Sequence, residues 1–200
     1  VYHESINGMG EEYRLPLLEI SFPALKRMPA KRLEFLLELA RKLIEMDGKI
    51  DFHEFCIYRI LSRHLSHAFA PAARQSKRRS ASRSDVRTAA IQILSLLADR
   101  GHESTVEKQQ AFKAGLSVFG AWSEETQFSP PSIEAVSLFE RSLDVLQRMN
   151  SAATQSFLEA INITVGHDGK VSIHEAEMIR AICASLDCPL PPMVAASTSS

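Results

Sequence analysis

Apolar residues recur along most of the chain at the three- and four-residue spacing of an amphipathic helix. The stretch RLEFLLELARKLIEM, residues 32–46, predicts one such helix, and its apolar stripe consists of Leu33, Leu36, Leu37, Ala40, Leu43 and Ile44. The same spacing predicts further helices over 15–27, 52–65, 85–99, 105–119, 132–148, 151–167 and 173–186. Nowhere do apolar and polar residues alternate as they do in a strand bounded by hairpin turns. We therefore predict an all-α fold, a helical bundle.

Two short stretches repeat one sequence pattern. EMDGKIDFHEF occupies residues 45–55 and GHDGKVSIHEA occupies residues 166–176, and each follows a long amphipathic stretch. Both contain Asp-Gly-Lys, then an apolar residue, then an Asp or Ser that stands three positions before a glutamate. Because internal repetition of sequence indicates repetition of structure, we predict two copies of one helix–turn–helix unit.

The repeated pattern has the residue types that end one helix and begin the next. A glycine just past a helix end adopts left-handed backbone angles, which lets the last carbonyl groups find donors. An Asp or Ser side chain caps the free N–H groups of the following helix, and a glutamate three residues later completes a capping box. The predicted structural residues are Gly48, Asp51 and Glu54 in the first copy and Gly169, Ser172 and Glu175 in the second.

The same stretches have features of a calcium-binding EF-hand loop, which needs oxygen ligands at its positions 1, 3, 5 and 12. Aligning Gly48 with the loop glycine puts Leu43 at position 1. The second copy has Thr164 at position 1 and Gly166 at position 3. Too few oxygen ligands remain for calcium, so the capping interpretation is favoured.

Zinc-protease chemistry is not predicted for this chain. The motif H-E-x-x-H needs a second histidine four residues after the first, and Ile57 and Met178 occupy those places in the two copies. No nucleotide-binding or nucleophile signature occurs either, so we predict no catalytic residue. The alternative to pure capping is a divalent metal held by hairpin side chains, whose ligands would be Asp47, Asp51, Glu54, Asp168, His174 and Glu175.

Composition and charge limit the function only broadly. The 200 residues are 45% hydrophobic, which suffices for a core, and their formal net charge of -1 gives no overall attraction to nucleic acid. Cys56, Cys183 and Cys188 are too few for a disulfide framework and are expected to be reduced thiols in a cytosolic setting. No apolar run approaches the roughly 20 residues that span a bilayer. The sequence begins at Val1 without a methionine, so we expect it to be part of a longer protein.

A basic, small-residue segment interrupts the helical pattern. The stretch APAARQSKRRSASRS, residues 70–84, has no large apolar residue and is predicted to be a flexible linker. Contact with an anionic membrane surface is the second interpretation. Nucleic-acid binding is not expected, because no aromatic residue is interleaved with the cations. The cations are Arg74, Lys77, Arg78, Arg79 and Arg83.

These patterns divide the chain into consecutive regions. The first helical unit is predicted over 13–69 and is followed by the linker 70–84. A second helical region is predicted over 85–192, with the second repeat at 149–188, and the Ser-rich end 193–200 is predicted to be disordered.

The repeats resemble the helical repeats of TerB-like domains, a family named after bacterial tellurite-resistance proteins. The stretches DGKIDFHEF and DGKVSIHEAEMIRAICASLDCPLPP carry this resemblance. Together with YRLPLLEISFPALKRMP near the start, they are similar to the C-terminal region of bacterial HtpX-like membrane zinc metallopeptidases. The resemblance implies a cytoplasmic tail of an inner-membrane protein, with the zinc-containing protease domain upstream and no cofactor in this segment.

On this basis we predict a non-catalytic accessory, regulatory or protein-interaction module. The expected partner is another protein, the parent's own protease or membrane domain, or a second copy of the chain. The alternative is a metal-responsive TerB-like binding module in a stress response.

Overall fold

The computed structural model describes residues 10–46, 50–69, 81–120, 122–131 and 134–190. Within these ranges the ordered elements are α-helices and short 3-10 turns, and no strand occurs. The predicted all-α fold, with helices packed against one another, is confirmed. None of the helices in these ranges combines the length and the apolarity needed to cross a bilayer.

The chain forms two compact units, Val1–Arg74 (unit 1) and Gln75–Ser200 (unit 2). In unit 1 the helices are α1 (Arg14–Leu25), α2 (Ala30–Ile44) and α3 (Phe52–Phe69), and a 3-10 turn, Glu11–Tyr13, precedes α1. Both α1 and α2 pack on α3. The apolar side chains buried in this unit are Leu15, Phe22, Leu33, Phe52, Phe55, Cys56, Ile60 and Leu65.

Two prolines set local features of unit 1. Pro23 lies in the last turn of α1, and the helix continues through it to Leu25. Pro29 occupies the N-cap position of α2, where its φ of -58° and ψ of 142° lead the chain into the helix. A proline tolerates this place because the first N–H groups of a helix have no intrahelical acceptor.

In unit 2 the helices are arranged around a central one. They are α4 (Arg83–Gly101), α5 (Thr105–Leu116), α6 (Trp122–Glu125), α7 (Ala135–Leu146), α8 (Ser151–Val165) and α9 (Ile173–Leu186). Helix α4 packs against α5, α7, α8 and α9. Its residues from Ile93 to Ala98 are all buried, as expected for a helix surrounded by others.

Helices α5 and α8 approach each other closely at Gly115. A Cβ atom at this position would lie 2.8 Å from the carbonyl oxygen of Ala160 and would also clash with the hydroxyl of Thr164. That hydroxyl donates a hydrogen bond to the Ala160 carbonyl over 2.9 Å. The crossing therefore requires a residue without a side chain.

The start of α4 corrects one predicted boundary. Ser82 caps the helix by accepting a hydrogen bond from the Asp85 N–H over 3.0 Å, and Arg83 is the first helical residue. The last positions of the predicted linker 70–84 thus belong to a capped helix. Residues 70–80 and the predicted tail 193–200 lie outside the described residues.

Candidate functional site

The second hairpin joins α8 to α9 through a left-handed glycine. Helix α8 is followed by the 3-10 turn Gly166–Asp168, and Gly169 then adopts φ 75° and ψ 10°. The Asp168 carboxylate accepts the N–H of Lys170 over 2.9 Å, which holds the turn. The Asp168 carboxylate therefore stabilises the turn by binding a backbone N–H group.

A reciprocal capping box begins α9. The Ser172 hydroxyl oxygen accepts the Glu175 N–H over 3.2 Å. In return, Glu175 Oε2 accepts the N–H of Ser172 over 2.9 Å and its hydroxyl over 2.8 Å. Three hydrogen bonds thus converge on two side chains at the start of the helix.

The first hairpin is described only after its turn. Asp47 and Gly48 lie outside the described residues. At the start of α3, Asp51 Oδ1 accepts the N–H groups of His53 and Glu54 over 2.8 and 3.3 Å. The imidazole of His53 also lies 2.9 Å from an Arg14 guanidinium nitrogen, which links the start of α3 to α1.

The second hairpin differs from the first by facing a buried junction. Glu175 is 2% exposed, and its Oε1 finds no hydrogen-bond partner among the described residues. This oxygen lies against Gly101, the last residue of α4, where a Cβ atom would clash with it. The next residue, His102, is 6% exposed, and neither of its ring nitrogens has a described hydrogen-bond partner. We call Gly101, His102, His167 and Glu175 the junction cluster.

The hairpin also contributes an aromatic neighbour to this cluster. The ring centroids of His102 and His167 are 6.1 Å apart, with the planes inclined at 58°. The junction therefore brings together the end of α4, the turn after α8 and the start of α9. Sequence reasoning missed Gly101 and His102, because their significance depends on which helices meet. The only local signal was their place before the capping sequence of α5.

The glutamates of two chemically identical capping boxes have pKa values shifted in opposite directions. Ser104 and Glu107 at the start of α5 form the same reciprocal hydrogen bonds as Ser172 and Glu175. The hydrogen bond from Ser104 lowers the pKa of the exposed Glu107 carboxyl. Burial raises the pKa of the Glu175 carboxyl, although the bonds from Ser172 and the charge of His102 oppose this shift. Burial alone distinguishes the two glutamates.

The proposed metal ligands of the second hairpin do not form a coordination sphere. His174 is exposed and the adjacent Glu175 is buried, so these neighbours on α9 do not share a face. Asp168 is exposed and holds a backbone N–H. Within the described ranges, no group of three or more His, Cys, Asp or Glu residues is arranged to hold a metal ion. For the first hairpin, Asp51 and Glu54 are described and Asp47 is not.

A second candidate surface is the exposed apolar stripe of α2, formed by Phe35, Leu39, Leu43 and Met46. Phe35 is 67% exposed and Met46, just past the helix end, is 80% exposed. The positions recur every three or four residues, so the side chains share one face of the helix. Leu43 was predicted on the inner stripe but is 56% exposed. Only Leu33 of that predicted stripe is fully buried. Helix α2 therefore has apolar residues on two faces, and only one of these faces packs against the rest of unit 1.

Three cations lie beside this stripe or at its start. At about 100° per residue, Lys31, Arg32 and Lys42 fall within about a quarter turn of its centre line. All three are exposed. Exposed Glu38 falls at about a quarter turn on the same side, four residues before Lys42, and Glu34 falls further round the helix. The stripe is therefore an apolar surface flanked by three cations and one carboxylate.

The basic segment can be followed only at its end. Arg83 is exposed at the start of α4 and lines a cleft of about 680 Å³ with Arg87, Arg148 and Trp122. Arg87 forms an ion pair with Glu125 over 2.9 Å and lies 5.6 Å above the Trp122 ring. The other predicted cations, Arg74, Lys77, Arg78 and Arg79, lie outside the described residues.

Comparison with protein-family models, with curated proteins and with solved structures gave no match to this chain.

Proposed function

We propose that this chain is a non-catalytic helical module that binds another protein through the exposed stripe of α2. As the resemblance in its repeats suggests, the chain serves as the cytoplasmic accessory region of a membrane-bound zinc metallopeptidase. Its partner is then a segment of that peptidase or of a protein that regulates it. The TerB-like assignment of the two repeats is part of the same proposal.

The observation that carries this proposal is the exposure of four large apolar side chains on one helical face. Single exposed apolar residues are common on soluble proteins and need no explanation. Three in register along α2, continued by Met46 just past its end, are different, since this is the pattern with which amphipathic helices meet a partner. Helix α1 and the turn before it add a shorter row of the same kind, formed by Tyr13, Leu17 and Ile20, which are 54%, 43% and 77% exposed.

The border of the stripe favours one chemistry of partner. Three cations lie beside it, and their charge would repel a basic surface and attract an acidic one. The partner we propose is therefore an amphipathic helix whose apolar face is flanked by Asp or Glu residues. Such a helix would pair its apolar residues with Phe35 and Leu39 and its carboxylates with Lys31 and Lys42.

Site-specific photo-crosslinking in the native cell tests this proposal. A photoreactive amino acid replaces Leu39 on the stripe, and a matched variant carries it at Glu34, which is exposed far round the same helix. We expect the Leu39 position alone to crosslink, and mass spectrometry of the product to give peptides of a zinc metallopeptidase or its bound regulator. Equal crosslinking at both positions contradicts the binding face. Crosslinking to phospholipid alone contradicts a protein partner.

A metal-responsive module is the second candidate function. It would use carboxylate and imidazole side chains of the second hairpin, namely Asp168, His174 and Glu175, which are groups that bind zinc or manganese. Calorimetric titration of the intact chain with these metals tests it. Micromolar binding that is lost in Asp168→Ala supports this candidate, and titrations without heat beyond dilution contradict it.

A further inference from the structure

The end of α9 brings two cysteines to one backbone carbonyl. Asp187 leaves the helix with left-handed angles, φ 55° and ψ 41°. The N–H of the next residue, Cys188, turns back and donates to the carbonyl of Cys183 over 3.1 Å. The Cys188 thiol lies 3.7 Å from the same oxygen.

This geometry depends on the corner rather than on the helix. In a continuous helix, residues five apart point about 140° away from each other, so their side chains do not meet. The left-handed residue reverses the chain and closes a six-residue ring of the kind found in Schellman motifs. As a result, the Cys188 side chain folds back over the turn that carries Cys183, the arrangement in which the corresponding side chains of a Schellman motif come into contact.

The two thiols differ in accessibility and acidity. Cys183 is 3% exposed, whereas Cys188 is half-buried. A hydrogen bond from Cys183 lowers the pKa of the Cys188 thiol, against the opposing effects of burial and of the neighbouring Asp187. The same bond, together with burial, raises the pKa of Cys183. Because Cys188 is accessible and Cys183 is buried, Cys188 is the thiol that a peroxide meets first, and it reacts as the thiolate.

We propose that Cys188 and Cys183 form a peroxide-sensitive thiol pair, with Cys188 as the attacking thiol and Cys183 as the resolving thiol. The Cys188 thiolate attacks one oxygen of a hydroperoxide, the O–O bond breaks, and hydroxide or alkoxide leaves and is protonated. Cys188 is now a sulfenic acid, oxidised by two electrons while the peroxide is reduced. The Cys183 sulfur then attacks the Cys188 sulfur, an S–S bond forms, and the hydroxyl leaves as water with the Cys183 proton.

The disulfide formed in this way replaces a hydrogen-bonded corner with a covalent one. It joins the last full turn of α9 to the residue after its left-handed cap, so the direction in which the chain leaves the helix becomes fixed. The chain continues from there with Pro189, which cannot extend a helix. A cellular thiol that reduces the disulfide restores the starting state.

The chain offers an internal control in its third cysteine. Cys56 lies in α3 of unit 1 and is 1% exposed. A buried thiol of this kind is expected to react slowly with peroxide. Specific oxidation should therefore consume two of the three thiols and leave Cys56 reduced.

The test uses the intact reduced chain, treated with hydrogen peroxide and then unfolded in N-ethylmaleimide so that buried thiols are alkylated as well. We expect the wild type to lose two thiols, with a mass lower by two hydrogens before alkylation, and peptide mapping to join residues 183 and 188. Cys56→Ser should lose the same two thiols. In Cys183→Ser, Cys188 should accumulate as a sulfenic acid that dimedone traps, and in Cys188→Ser, Cys183 should remain reduced.

The proposal is overturned if wild-type protein keeps three alkylatable thiols at a peroxide concentration that oxidises free cysteine. It is also overturned if Cys188→Ser loses Cys183 at the wild-type rate, or if Cys188 forms only disulfides between chains. Because Cys188 is half-buried, its serine variant is expected to fold, and an unchanged thermal melt checks this. The outcome is independent of whether the α2 stripe binds a partner.

Discussion

The carboxylate of Glu175 lies directly against the backbone of Gly101, so the start of α9 and the end of α4 meet without an intervening side chain. The same carboxylate caps α9 through Ser172. One glutamate therefore fixes both a helix start and a helix–helix junction. A capping box is a local device, but here it has been incorporated into the core of unit 2.

Gly101→Ala should destabilise the chain because the new Cβ would displace the buried Glu175 carboxylate from its hydrogen bonds with Ser172. Overpacking of this kind costs typically 1–3 kcal/mol, which corresponds to about a few degrees in the thermal midpoint. Urea unfolding of the single variants and of the double variant Gly101→Ala/Glu175→Ala measures the coupling between the two positions. We expect the double variant to be more stable than the sum of the single effects. Simple additivity contradicts the contact.

The two capping glutamates should respond to pH with opposite signs. Because its pKa is raised, Glu175 contributes stability that is present below its unfolded pKa and is lost as the pH rises through the folded value. The loss of unfolding free energy caused by Glu175→Gln should therefore become smaller as the pH rises from about 4 to about 8. Urea unfolding across this range, compared with wild type, measures the trend.

Glu107 provides the matched control for that experiment. Its lowered pKa means that it contributes stability above its unfolded pKa, and that this contribution is lost as the pH falls through the folded value. Glu107→Gln should therefore lower the free energy of unfolding most near neutral pH and least in acid. Parallel trends for Glu107→Gln and Glu175→Gln would rule out burial as the cause of the difference.

Gly169→Val should lower the thermal midpoint by several degrees, because a β-branched residue would have to adopt φ 75°. No described atom lies within 4 Å of a Cβ at this position, so the effect comes from backbone strain and not from a clash. The strain is worth about 1–2 kcal/mol. Gly169→Asn is the control, since asparagine tolerates left-handed angles. Equal losses in the two variants would be inconsistent with this explanation.

Leu39→Glu should leave the fold intact because the side chain is already 43% exposed. Surface substitutions of this kind usually change stability by less than about 0.5 kcal/mol. Leu33→Glu, at a position 1% exposed on the inner face of the same helix, should unfold unit 1. Circular dichroism melts of both variants distinguish the two faces of α2, and a large destabilisation by Leu39→Glu would place that residue in a core.

The features that could be predicted from the sequence are those determined by residues close to one another along the chain. The spacing of apolar positions gave the helices, and the hairpin pattern located Ser172 and Glu175 at the start of α9. The features that were missed depend on distant packing. Helix α2 has enough apolar residues for two faces, and its sequence does not state which face another helix covers. Likewise, nothing near Gly101 in the sequence indicates that a glutamate more than seventy residues later lies against it.

The proposed function depends on the exposed stripe of α2, and the size of the native complex tests this dependence most directly. The chain is extracted from its native cell in mild detergent, and the mass of the particle that contains it is measured for wild type, Leu39→Glu and the control Glu34→Lys. We predict that wild type and Glu34→Lys remain in a complex with the peptidase partner and that Leu39→Glu is released from it. Retention of Leu39→Glu in a particle of wild-type mass would contradict the proposed function.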